Sequence, residues 1–331
     1  MARTPKIVCI GGGTGTFTVL SGLKKYNADL SAIVTMADDG GSSGILRDEL
    51  GVLPPGDVRQ CLIALSEEDL LLRKLFNYRF GLGPFLGHSF GNIFMAAMEK
   101  STGSFDKAIE KAAKVLNVKG EVIPVTLDKV RLVAKLESGK EIVGEKNITK
   151  SHLLSRQKIK KLYLKPKADP NQKAIKAIKE ADVIAIGPGN LYSSIIPNLL
   201  VEGIPEAIRK SKAVKIYNCN LMTKFGHTDG LNVKDFALVI ERYLGERVLN
   251  YVTYNTKKPP AAFLKKYAKE GGFVECQDFK NQENKFVGAD LISDKIYEQD
   301  KADTFLQRTL IRHDPDKLAK LLMKLCPVVK I

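Results

Sequence analysis

Three glycine-rich loops in the sequence have the composition of phosphate-binding turns. They occupy residues 11–15, 38–44 and 187–190, and each follows a short apolar run and leads toward a helical pattern. Glycine permits close backbone approach, and the helix that follows presents free N–H groups and the positive end of its dipole. Because all three loops share this form, they predict a surface that binds the phosphates of a nucleotide.

The first loop is close to the dinucleotide-binding fingerprint G-x-G-x-x-G but departs from it. Gly11 and Gly13 fit the first two positions, whereas Thr16 stands where the third glycine or alanine is expected. The acid that the fingerprint places about 20 residues further on is Asp38 or Asp39. The loop lacks the Gly-Lys-Ser/Thr ending of a P-loop, which argues against a Walker-type NTPase. A tight strand-to-helix turn without a ligand is the alternative interpretation.

Two adjacent carboxylates in the second loop have the chemistry of a magnesium or ribose site. Mg²⁺ is held by few carboxylates together with phosphate oxygens and water, and carboxylates also bind ribose hydroxyls. The serines that follow could donate hydrogen bonds to a phosphate, although an Asp-Gly turn capped by serine is the simpler alternative. The candidate residues of this loop are Asp38, Asp39, Gly40, Gly41, Ser42 and Ser43.

Four further polar residues in the first hundred positions are candidates for ligand contact. Arg59 is a candidate phosphate clamp, although an ion pair with Asp57 would also explain its presence. His88 and Asn92 lie four residues apart at the start of a predicted helix, so both can point toward one ligand. Capping or core packing is the alternative role for His88.

Polar residues after two later strands complete the candidate set. Asn190, Ser193 and Ser194 surround the start of the helix predicted after the third glycine loop, where an anion would be stabilised. Asn220 and Thr223 follow the next predicted strand. Hydrogen bonds to turn backbone would also account for the asparagines.

Composition and charge argue against several other classes of protein. The five cysteines form no C-x-x-C pair and the four histidines are scattered, so the sequence predicts neither a disulfide framework nor a zinc site. It contains no H-E-x-x-H segment. The formal charge is +15, but residues 1–100 hold ten basic and ten acidic residues, whereas residues 146–180 hold 11 and 2. A solvated lysine-rich face explains this surplus better than a nucleic-acid site does.

Strand and helix patterns alternate along most of the chain. Strands are predicted at residues 6–10, 31–36, 182–186 and 214–219. Helices are predicted at residues 16–25, 57–66, 67–80, 88–100, 104–116, 171–181, 191–201, 235–244, 260–269 and 316–325. The alternation favours a doubly wound, mainly parallel α/β sheet that binds ligands at the carboxyl ends of its strands. Apolar and polar residues alternate over residues 120–168 as they do in strands. This pattern predicts a small β-rich insert within one domain of residues 1–331.

Six motifs occur in the order in which a known bacterial family carries them. They are Gly11-Gly12-Gly13-Thr14-Gly15, Ala37-Asp38-Asp39-Gly40-Gly41-Ser42-Ser43-Gly44, Pro55-Gly56-Asp57-Val58-Arg59, Gly87-His88-Ser89-x-Gly91-Asn92, Gly187-Pro188-Gly189-Asn190-Leu191-Tyr192 and Asn220-Leu221-Met222-Thr223. They resemble the motifs of the bacterial gluconeogenesis factor family, which is related to the CofD-like 2-phospho-L-lactate transferases. Residues 17–18, residues 224–227 and the stretch near residues 277–303 depart from the family pattern.

The resemblance implies a Rossmann-like three-layer fold and a nucleotide-containing ligand, with UDP-N-acetylglucosamine the expected type. It also implies a cytoplasmic protein needed for cell shape and cell-wall precursor balance during growth on gluconeogenic carbon sources. In the family a tyrosine and a late arginine contact the UDP-sugar, and these match Tyr267 and Arg312. The expected ligand-binding residues are Gly11, Gly12, Gly13, Thr14, Gly15, Thr16, Asp38, Asp39, Gly40, Gly41, Ser42, Ser43, Asp57, Arg59, His88, Asn92, Gly187, Gly189, Asn190, Ser193, Ser194, Asn220, Thr223, Tyr267 and Arg312.

Three functions are compatible with these residues. The first is a regulatory protein that binds a nucleotide sugar without catalytic turnover, with the glycine loops on the diphosphate. The second is a phospholactate-type transferase in which Asp38 and Asp39 bind Mg²⁺, and Arg59 and His88 stabilise a transferring phosphoryl group. The third is a protein that binds an NAD-like dinucleotide, and it depends on the first glycine loop alone.

The expected partners are a small nucleotide ligand and a second copy of the chain in a homodimer. Nucleic acid and insertion into a membrane are not expected, since no apolar run approaches the roughly 18 residues of a membrane span. The N-terminal apolar run at residues 7–10 is too short for a signal peptide. We therefore expect a cytoplasmic location.

Overall fold

Strands and helices alternate through the part of the chain that the structure describes. The computed structural model describes residues 3–68, 70–276, 279, 285–294 and 311–329. Its strands are β1 (Lys6–Gly11), β2 (Asp29–Val34), β3 (Glu121–Pro124), β4 (Arg131–Leu136), β5 (Glu141–Val143), β6 (Ile159–Lys165), β7 (Val183–Ile186), β8 (Val214–Asn218), β9 (Tyr251–Asn255) and β10 (Phe286–Ala289). Its helices are α1 (Thr14–Leu23), α2 (Gly41–Leu50), α3 (Gly56–Leu65), α4 (Leu70–Asn77), α5 (Phe90–Thr102), α6 (Phe105–Val115), α7 (Glu145–Lys150), α8 (Gln172–Glu180), α9 (Ile196–Leu199), α10 (Ile204–Lys210), α11 (Val233–Leu244), α12 (Ala261–Tyr267) and α13 (Pro315–Lys324). A 3₁₀ turn, His152–Ser155, and a π-helical turn, Leu191–Ile195, add to these helices.

Seven of the described strands form one parallel sheet in the order β10-β9-β8-β7-β1-β2-β3. The chain builds outward from β1 through β2 to β3 on one side, and from β7 through β8 and β9 to β10 on the other. β1 therefore lies beside the point where the strand order reverses, and such a switch point opens a crevice outside the carboxyl ends of the strands. The predicted Rossmann-like, doubly wound sheet is confirmed.

Alternating apolar residues of the strands pack against helices on both faces of the sheet. In β1, Ile7 and Cys9 belong to one core cluster, whereas Val8 and Ile10 belong to another. Successive side chains of a strand point to opposite faces, so the two clusters lie on the two sides of the sheet. Burial on both faces explains why the strands are continuous apolar runs and gives the molecule three layers.

The antiparallel insert is smaller than the sequence predicts. β5, β4 and β6 form a separate antiparallel sheet in that order. β3 lies inside the predicted insert of residues 120–168, yet it pairs in parallel with β2, with Glu121 opposite Ser31. Val122 and Ile123 are buried in opposite core clusters, which explains why β3 extends the main sheet. The separate sheet therefore begins at Arg131.

Most predicted helices shift by one to three residues at their ends, and three differ for a clear physical reason. The helix predicted at residues 88–100 begins at Phe90, where Ser89 caps it by accepting a hydrogen bond from the Asn92 amide. The helix predicted at residues 67–80 shortens to α4, because the backbone on either side of it pairs elsewhere. Ser66 bridges to Val118, and Arg79 bridges to Ser89.

The helix predicted at residues 191–201 is a π-helical turn followed by the short α9. Asn190 caps this turn, because its side-chain oxygen accepts hydrogen bonds from the amides of Tyr192 and Ser193, each at 3.3 Å. The sequence patterns did not predict α7, α10, β9 or β10. Among the described residues, no helix combines the length and the apolar character that crossing a bilayer requires.

Gly15 joins the two halves of the sheet at the switch point. It lies in the first turn of α1, and a Cβ on Gly15 would overlap the carbonyl oxygen of Pro188 in the loop after β7. Only a residue without a side chain permits this approach. The loops that follow β1 and β7 are thereby held in direct backbone contact.

A methyl group at this position should be strongly destabilising. We expect Gly15→Ala to lower the free energy of unfolding by about 3 kcal/mol or more, because the backbone of two loops must move apart. Gly81→Ala is the control: a Cβ on Gly81 would meet no atom within 4 Å, and its effect should stay within about 0.5 kcal/mol. Urea denaturation of both variants measures the difference, and equal stabilities would contradict the proposed contact.

Candidate functional site

The first and third glycine loops meet at the carboxyl end of β1. A Cβ on Gly12 would lie 2.9 Å from the Cβ of Ser194 and 3.0 Å from Oδ2 of Asp57. Asn198 braces the same turn, because its Nδ2 donates to the carbonyl oxygen of Gly11 at 3.0 Å. The structure thus brings the loop of residues 11–15, the start of α3 and the π-helical turn together. We call this region the strand-end site.

The position of Thr16 explains why the first loop departs from the dinucleotide fingerprint. The close backbone approach in this loop is made by Gly15, so the third small residue is needed one position earlier than in G-x-G-x-x-G. Thr16 is buried, and its Oγ1 would lie 2.6 Å from a Cβ on Gly11. Among the described residues this hydroxyl has no hydrogen-bond partner.

The serines of the second loop are in the first turn of α2. The sequence assigns residues 38–44 to a loop, but α2 begins at Gly41, so Ser42 and Ser43 are helical and buried. The Gly56 amide donates to Oγ of Ser43 at 3.1 Å, and the Ser43 hydroxyl donates to Asp38. This chain of hydrogen bonds connects α2 to the start of α3.

His88 and Asn92 both contact Ser42, although His88 lies before the first turn of α5. Nδ2 of Asn92 donates to Oγ of Ser42 at 3.1 Å, and Nδ1 of His88 lies 3.0 Å from the same oxygen. Burial lowers the pKa of His88, which favours the neutral imidazole. The Oδ1 atom of Asn92 is buried without a hydrogen-bond partner among the described residues.

Three carboxyl groups share the strand-end site and repel one another. Burial raises the pKa of Asp38 and, together with the charges of Asp38 and Glu145, raises the pKa of Asp57 well above its ordinary value. The Gly13 amide donates to the Asp57 carboxylate, and this hydrogen bond offsets part of the rise in the pKa of Asp57. Burial and neighbouring negative charges both disfavour the ionised form of a carboxyl group. These three groups therefore keep their protons to a higher pH than exposed carboxyl groups do.

Glu145 is a member of this cluster that sequence reasoning missed. Burial raises its pKa to about 7, and the charge of Asp38 adds to the effect. The hydroxyl of Thr149 donates to its Oε1 at 2.8 Å, and Ser193 also donates to its carboxylate. Glu145 begins α7 in the antiparallel insert, more than a hundred residues after Asp38, so no local spacing connects the two.

Asp39 holds the insert against the sheet. Its Oδ1 accepts a hydrogen bond from the amide of Lys146 at 2.7 Å, and its Oδ2 lies 3.8 Å from Arg47 and 3.7 Å from Arg131. Asp38 instead accepts from the Gly40 amide at 2.9 Å. The two adjacent carboxylates therefore have different surroundings, one facing the insert and one facing α3.

A magnesium ion would need oxygens from a ligand at this site. Among the described residues, no group of three or more histidine, cysteine, aspartate or glutamate side chains is arranged to hold a metal ion. Mg²⁺ is commonly bound by one or two protein carboxylates, with phosphate oxygens and water as its other ligands. Asp38 could supply one such carboxylate without a complete set of protein ligands. Assignment of Mg²⁺ to Asp38 and Asp39 stays a prediction.

Arg59 lies behind the site, against α4. Its guanidinium donates to the carbonyl oxygen of Phe76 at 3.0 Å and to Oδ1 of Asn77 at 3.2 Å. Arg59 is buried, and a Cβ on Gly91 would lie 2.6 Å from its Cδ. These contacts support the ends of α4 and α5, and the phosphate-clamp role of Arg59 stays a prediction.

Lys224 and His227 approach the site from the loop after β8. Burial lowers the pKa of Lys224, and the charges of Glu145 and Glu270 partly restore it. Burial lowers the pKa of His227 to about 4. Lys224 therefore supplies a positive charge toward the carboxyl cluster, whereas His227 is neutral.

Three more of the predicted ligand-binding residues, Asn220, Thr223 and Tyr267, lie near the end of β8. Nδ2 of Asn220 donates to the carbonyl oxygen of Gly189 at 2.8 Å, and the Thr223 amide donates to the carbonyl oxygen of Gly272 at 2.7 Å. Tyr267 is buried in a small apolar cluster with Leu221 and Met222.

Arg312 lies in the segment that docks against the same strand end. Its neighbour His313 is buried, and Nε2 of His313 lies 3.2 Å from the carbonyl oxygen of Cys219. Burial lowers the pKa of His313 to about 4. The structure thus brings the segments of Tyr267 and Arg312 to one strand end.

The site combines helix N-termini with carboxyl groups. The first turns of α1, α2, α3 and α5 and the turn after β7 converge outside the carboxyl ends of the strands. Their amides favour an anion, whereas Asp38, Asp57 and Glu145 oppose one unless they are protonated or neutralised by a cation. A phosphate-bearing ligand fits this site in company with a proton or a divalent cation.

Comparisons with known proteins agree with the fold and the motifs. Residues 7–296 match the family described as 2-phospho-L-lactate transferase CofD. The gluconeogenesis factor of Bacillus subtilis is 42% identical over 98% of this chain and 99% of its own length. That of Halalkalibacterium halodurans is 41% identical over 97% of each.

A solved structure is also similar over nearly the full length. The crystal structure of a UPF0052 family member from Bacillus halodurans superimposes with a TM-score of 0.88. It is 38% identical in sequence and covers 97% of this chain and 99% of its own.

Replacement of Glu145 should change how stability depends on pH. The folded chain keeps the Glu145 proton up to about pH 7, whereas the unfolded chain releases it near the ordinary value of 4.5. The wild type therefore loses stability as the pH rises through this window, and Glu145→Gln should lose less. The difference is at most a few kcal/mol, since one pKa unit corresponds to about 1.4 kcal/mol.

Thermal denaturation across this pH range measures the effect. Glu137→Gln is the control, since Glu137 is an exposed glutamate in the same insert, and it should follow the wild type. Identical pH dependence for Glu145→Gln and the wild type would contradict the placement of Glu145 in the carboxyl cluster.

Proposed function

The chain belongs to the CofD family, among the proteins named gluconeogenesis factors, and we propose that it is a cytoplasmic binding protein for a nucleotide sugar of the UDP-N-acetylglucosamine type. The observation that carries this proposal is the meeting of two glycine loops and several helix N-termini at the switch point of the sheet. Backbone amides there favour a diphosphate. The proposed role is regulatory and involves no catalytic turnover.

The two ends of the ligand would be held by different parts of the site. The loops of residues 11–15 and 187–190 and the serines of α2 would bind the diphosphate. Asp38 would bind ribose or a Mg²⁺ ion bridged to the phosphates, since the carboxyl cluster needs a compensating positive charge. Tyr267 and Arg312 would engage the sugar, in keeping with the family resemblance and with their common position beside β8.

We propose the biological role from the family resemblance and from the proposed class of ligand. A protein that senses UDP-N-acetylglucosamine would report on the supply of cell-wall precursors. We propose that it maintains cell shape and precursor balance during growth on gluconeogenic carbon sources, as one domain of residues 1–331 that forms a homodimer. Nucleic acid is not a proposed partner, because the basic surplus lies outside the motifs of the strand-end site.

A Mg²⁺-dependent transferase of the phospholactate type is the second candidate function. Its support is the family match over residues 7–296, since that family is named for such a transferase. Asp38 and Asp39 would then hold Mg²⁺, with His88 near the transferring group. An NAD-like ligand has weaker support, because the fingerprint of the first loop is displaced by one residue.

If Arg312 contacts the sugar and not the nucleotide, Arg312→Ala should weaken the binding of the nucleotide sugar but not of the nucleotide alone. The variant should weaken UDP-N-acetylglucosamine binding by about tenfold or more, the cost of about 1.4 kcal/mol for one lost polar contact. UDP binding should stay within about twofold. Arg247→Ala, at an exposed position in the connection that precedes β9, is the matched control.

Calorimetric titration of each variant with UDP and with UDP-N-acetylglucosamine, in Mg²⁺, gives the dissociation constants. An equal loss for both ligands would contradict the assignment of Arg312 to the sugar. An absence of heat with every UDP-sugar would overturn the proposed function.

The transferase alternative predicts Mg²⁺-dependent turnover. With a phospholactate-type donor, product formation should require Mg²⁺ and should fall by about 100-fold or more in Asp39→Ala, because the metal and the docked insert would both be lost. Activity that is unchanged in Asp39→Ala would reject this assignment. Nucleotide binding without turnover would favour the regulatory protein.

A further inference from the structure

The antiparallel sheet of the insert has one side that carries basic residues at both of its ends. In β4, the alternate residues from Leu132 to Leu136 are buried in one of the two core clusters of the molecule. Because successive residues of a strand point to opposite sides, Arg131, Val133 and Lys135 lie on the other side of the same sheet. We call these three residues, together with those directly opposite them on β5 and β6, the outer face.

Two pairs of basic residues lie directly opposite each other on the outer face. Lys135 of β4 is opposite Lys161 of β6, and Arg131 is opposite Lys165. Like charges in this position destabilise a sheet. Solvation explains why one lysine is exposed, but it does not explain why two strands place their basic residues against each other.

The arginine of these pairs is compensated within the chain, whereas the lysines are not. Nη2 of Arg131 lies 2.9 Å from Oδ1 of Asp48, and its Nη1 lies 3.7 Å from Oδ2 of Asp39. The three lysines of the outer face are exposed, and they form no ion pair with any residue that the structure describes. Their positive charge is therefore available to a partner.

The other charged residues around the outer face leave it positive. Glu141 of β5 lies opposite Lys135, but its carboxylate accepts a hydrogen bond from the hydroxyl of Tyr163. The turn of residues 137–140 contains one acidic and one basic residue, which balance each other. Residues 156–160, which lead into β6, add three basic residues and no acidic one.

The middle of the outer face is apolar. Val133 is buried, and both Val143 of β5 and Tyr163 of β6 lie directly opposite it. Val143 is 45% exposed, and Tyr163 is half-buried. An apolar centre between charged ends is the arrangement of a protein interface, whose core is less polar than its rim.

The two basic ends have the spacing of alternate residues in an extended chain. Lys161 and Lys165 are four residues apart on β6, which corresponds to about 13 Å along the strand. An extended segment laid along β4 and β6 would place its residues i and i+4 over the two ends and its residue i+2 over the centre. In an α-helix, residues i and i+4 are only about 6 Å apart along the axis and would not reach both ends.

The same features disfavour other polyanions. Membrane-binding surfaces insert several apolar side chains beside a larger basic cluster, whereas Val143 is the one large apolar side chain exposed among the described residues of this face. Single-stranded nucleic acid stacks on exposed aromatic rings, whereas Tyr163 is half-buried and bonded to Glu141.

We propose that the outer face binds an extended acidic segment of a partner protein, with one carboxylate at each basic end and an apolar side chain between them. The unpaired lysines attract the segment, and the spacing of the two ends selects it. The same insert carries Glu145 and the Lys146 amide, which contact the strand-end site. Binding at the outer face does not depend on the proposed function.

Fluorescence anisotropy of a labelled peptide, titrated with the full chain at low ionic strength and without nucleotide, tests the binding. The peptide Ser-Glu-Thr-Leu-Thr-Glu-Ser has the required spacing, whereas Ser-Glu-Glu-Thr-Leu-Thr-Ser has the same composition with adjacent acids. The first peptide should bind about fivefold more tightly, because it alone reaches both basic ends. Its affinity should fall as salt is added.

Lys161→Glu should weaken the binding of the first peptide by about tenfold and should also stabilise the fold. The substitution removes a cation from one basic end, and it places a negative charge opposite Lys135, which favours the sheet. The midpoint of urea unfolding should therefore rise while the affinity falls. Lys179→Glu is the control, with the same change of charge at an exposed position on α8, and it should bind within about twofold of the wild type.

Double-mutant cycles test how the segment lies on the face. Lys161→Gln and Lys165→Gln should each couple to a different glutamate of the peptide, because the two lysines lie at different ends. Coupling of both lysines to the same glutamate would overturn the proposal.

Other outcomes would also overturn it. They are the absence of binding by the first peptide, equal affinities for the two peptides, and wild-type affinity in Lys161→Glu. A chain that fails to bind the peptide but binds vesicles of anionic phospholipid, or single-stranded DNA, would assign the outer face to that polyanion instead.

Discussion

The contact between Gly15 and the carbonyl oxygen of Pro188 is the constraint on which the rest of the site depends. It joins the turn after β1 to the turn after β7, on the two sides of the switch point. With these turns in contact, Ser194 reaches Gly12, and Asn198 reaches the backbone of the first loop. A sheet that opened at this point would keep its core but lose the convergence of amides that favours a diphosphate.

Electrostatics set the second condition for binding. The amides of the strand-end site attract phosphate, while Asp38, Asp57 and Glu145 repel it when they are ionised. The raised pKa values reflect this conflict, because protonation relieves the repulsion when no ligand is bound. A divalent cation or the charge of Lys224 would serve the same purpose when a ligand is present. The insert takes part directly, since Asp39 holds its backbone and Glu145 begins its helix.

Local patterns predicted the parallel sheet and the glycine loops at its strand ends, because glycine turns and apolar runs leave signals within a few residues. His88 and Asn92 both contact Ser42, and their predicted contact with a common ligand stays a prediction. Glu145 and the position of β3 could not be predicted in this way. Both depend on packing between segments about a hundred residues apart, and the strand-like pattern after residue 120 does not distinguish a strand of the main sheet from a strand of the insert. The contacts of Arg59 with α4 could not be predicted either, because they depend on where α4 packs.

The central claim is that a nucleotide sugar binds at the switch point of the sheet. Hydrogen exchange of the full chain, with and without saturating UDP-N-acetylglucosamine and Mg²⁺, tests this most directly because it locates the amides that the ligand covers. The account predicts slower exchange in peptides that contain residues 11–16, 40–44 and 188–195, with little change in the strands of the insert. Protection confined to the opposite edge of the sheet, or no protection at saturating ligand, would contradict it.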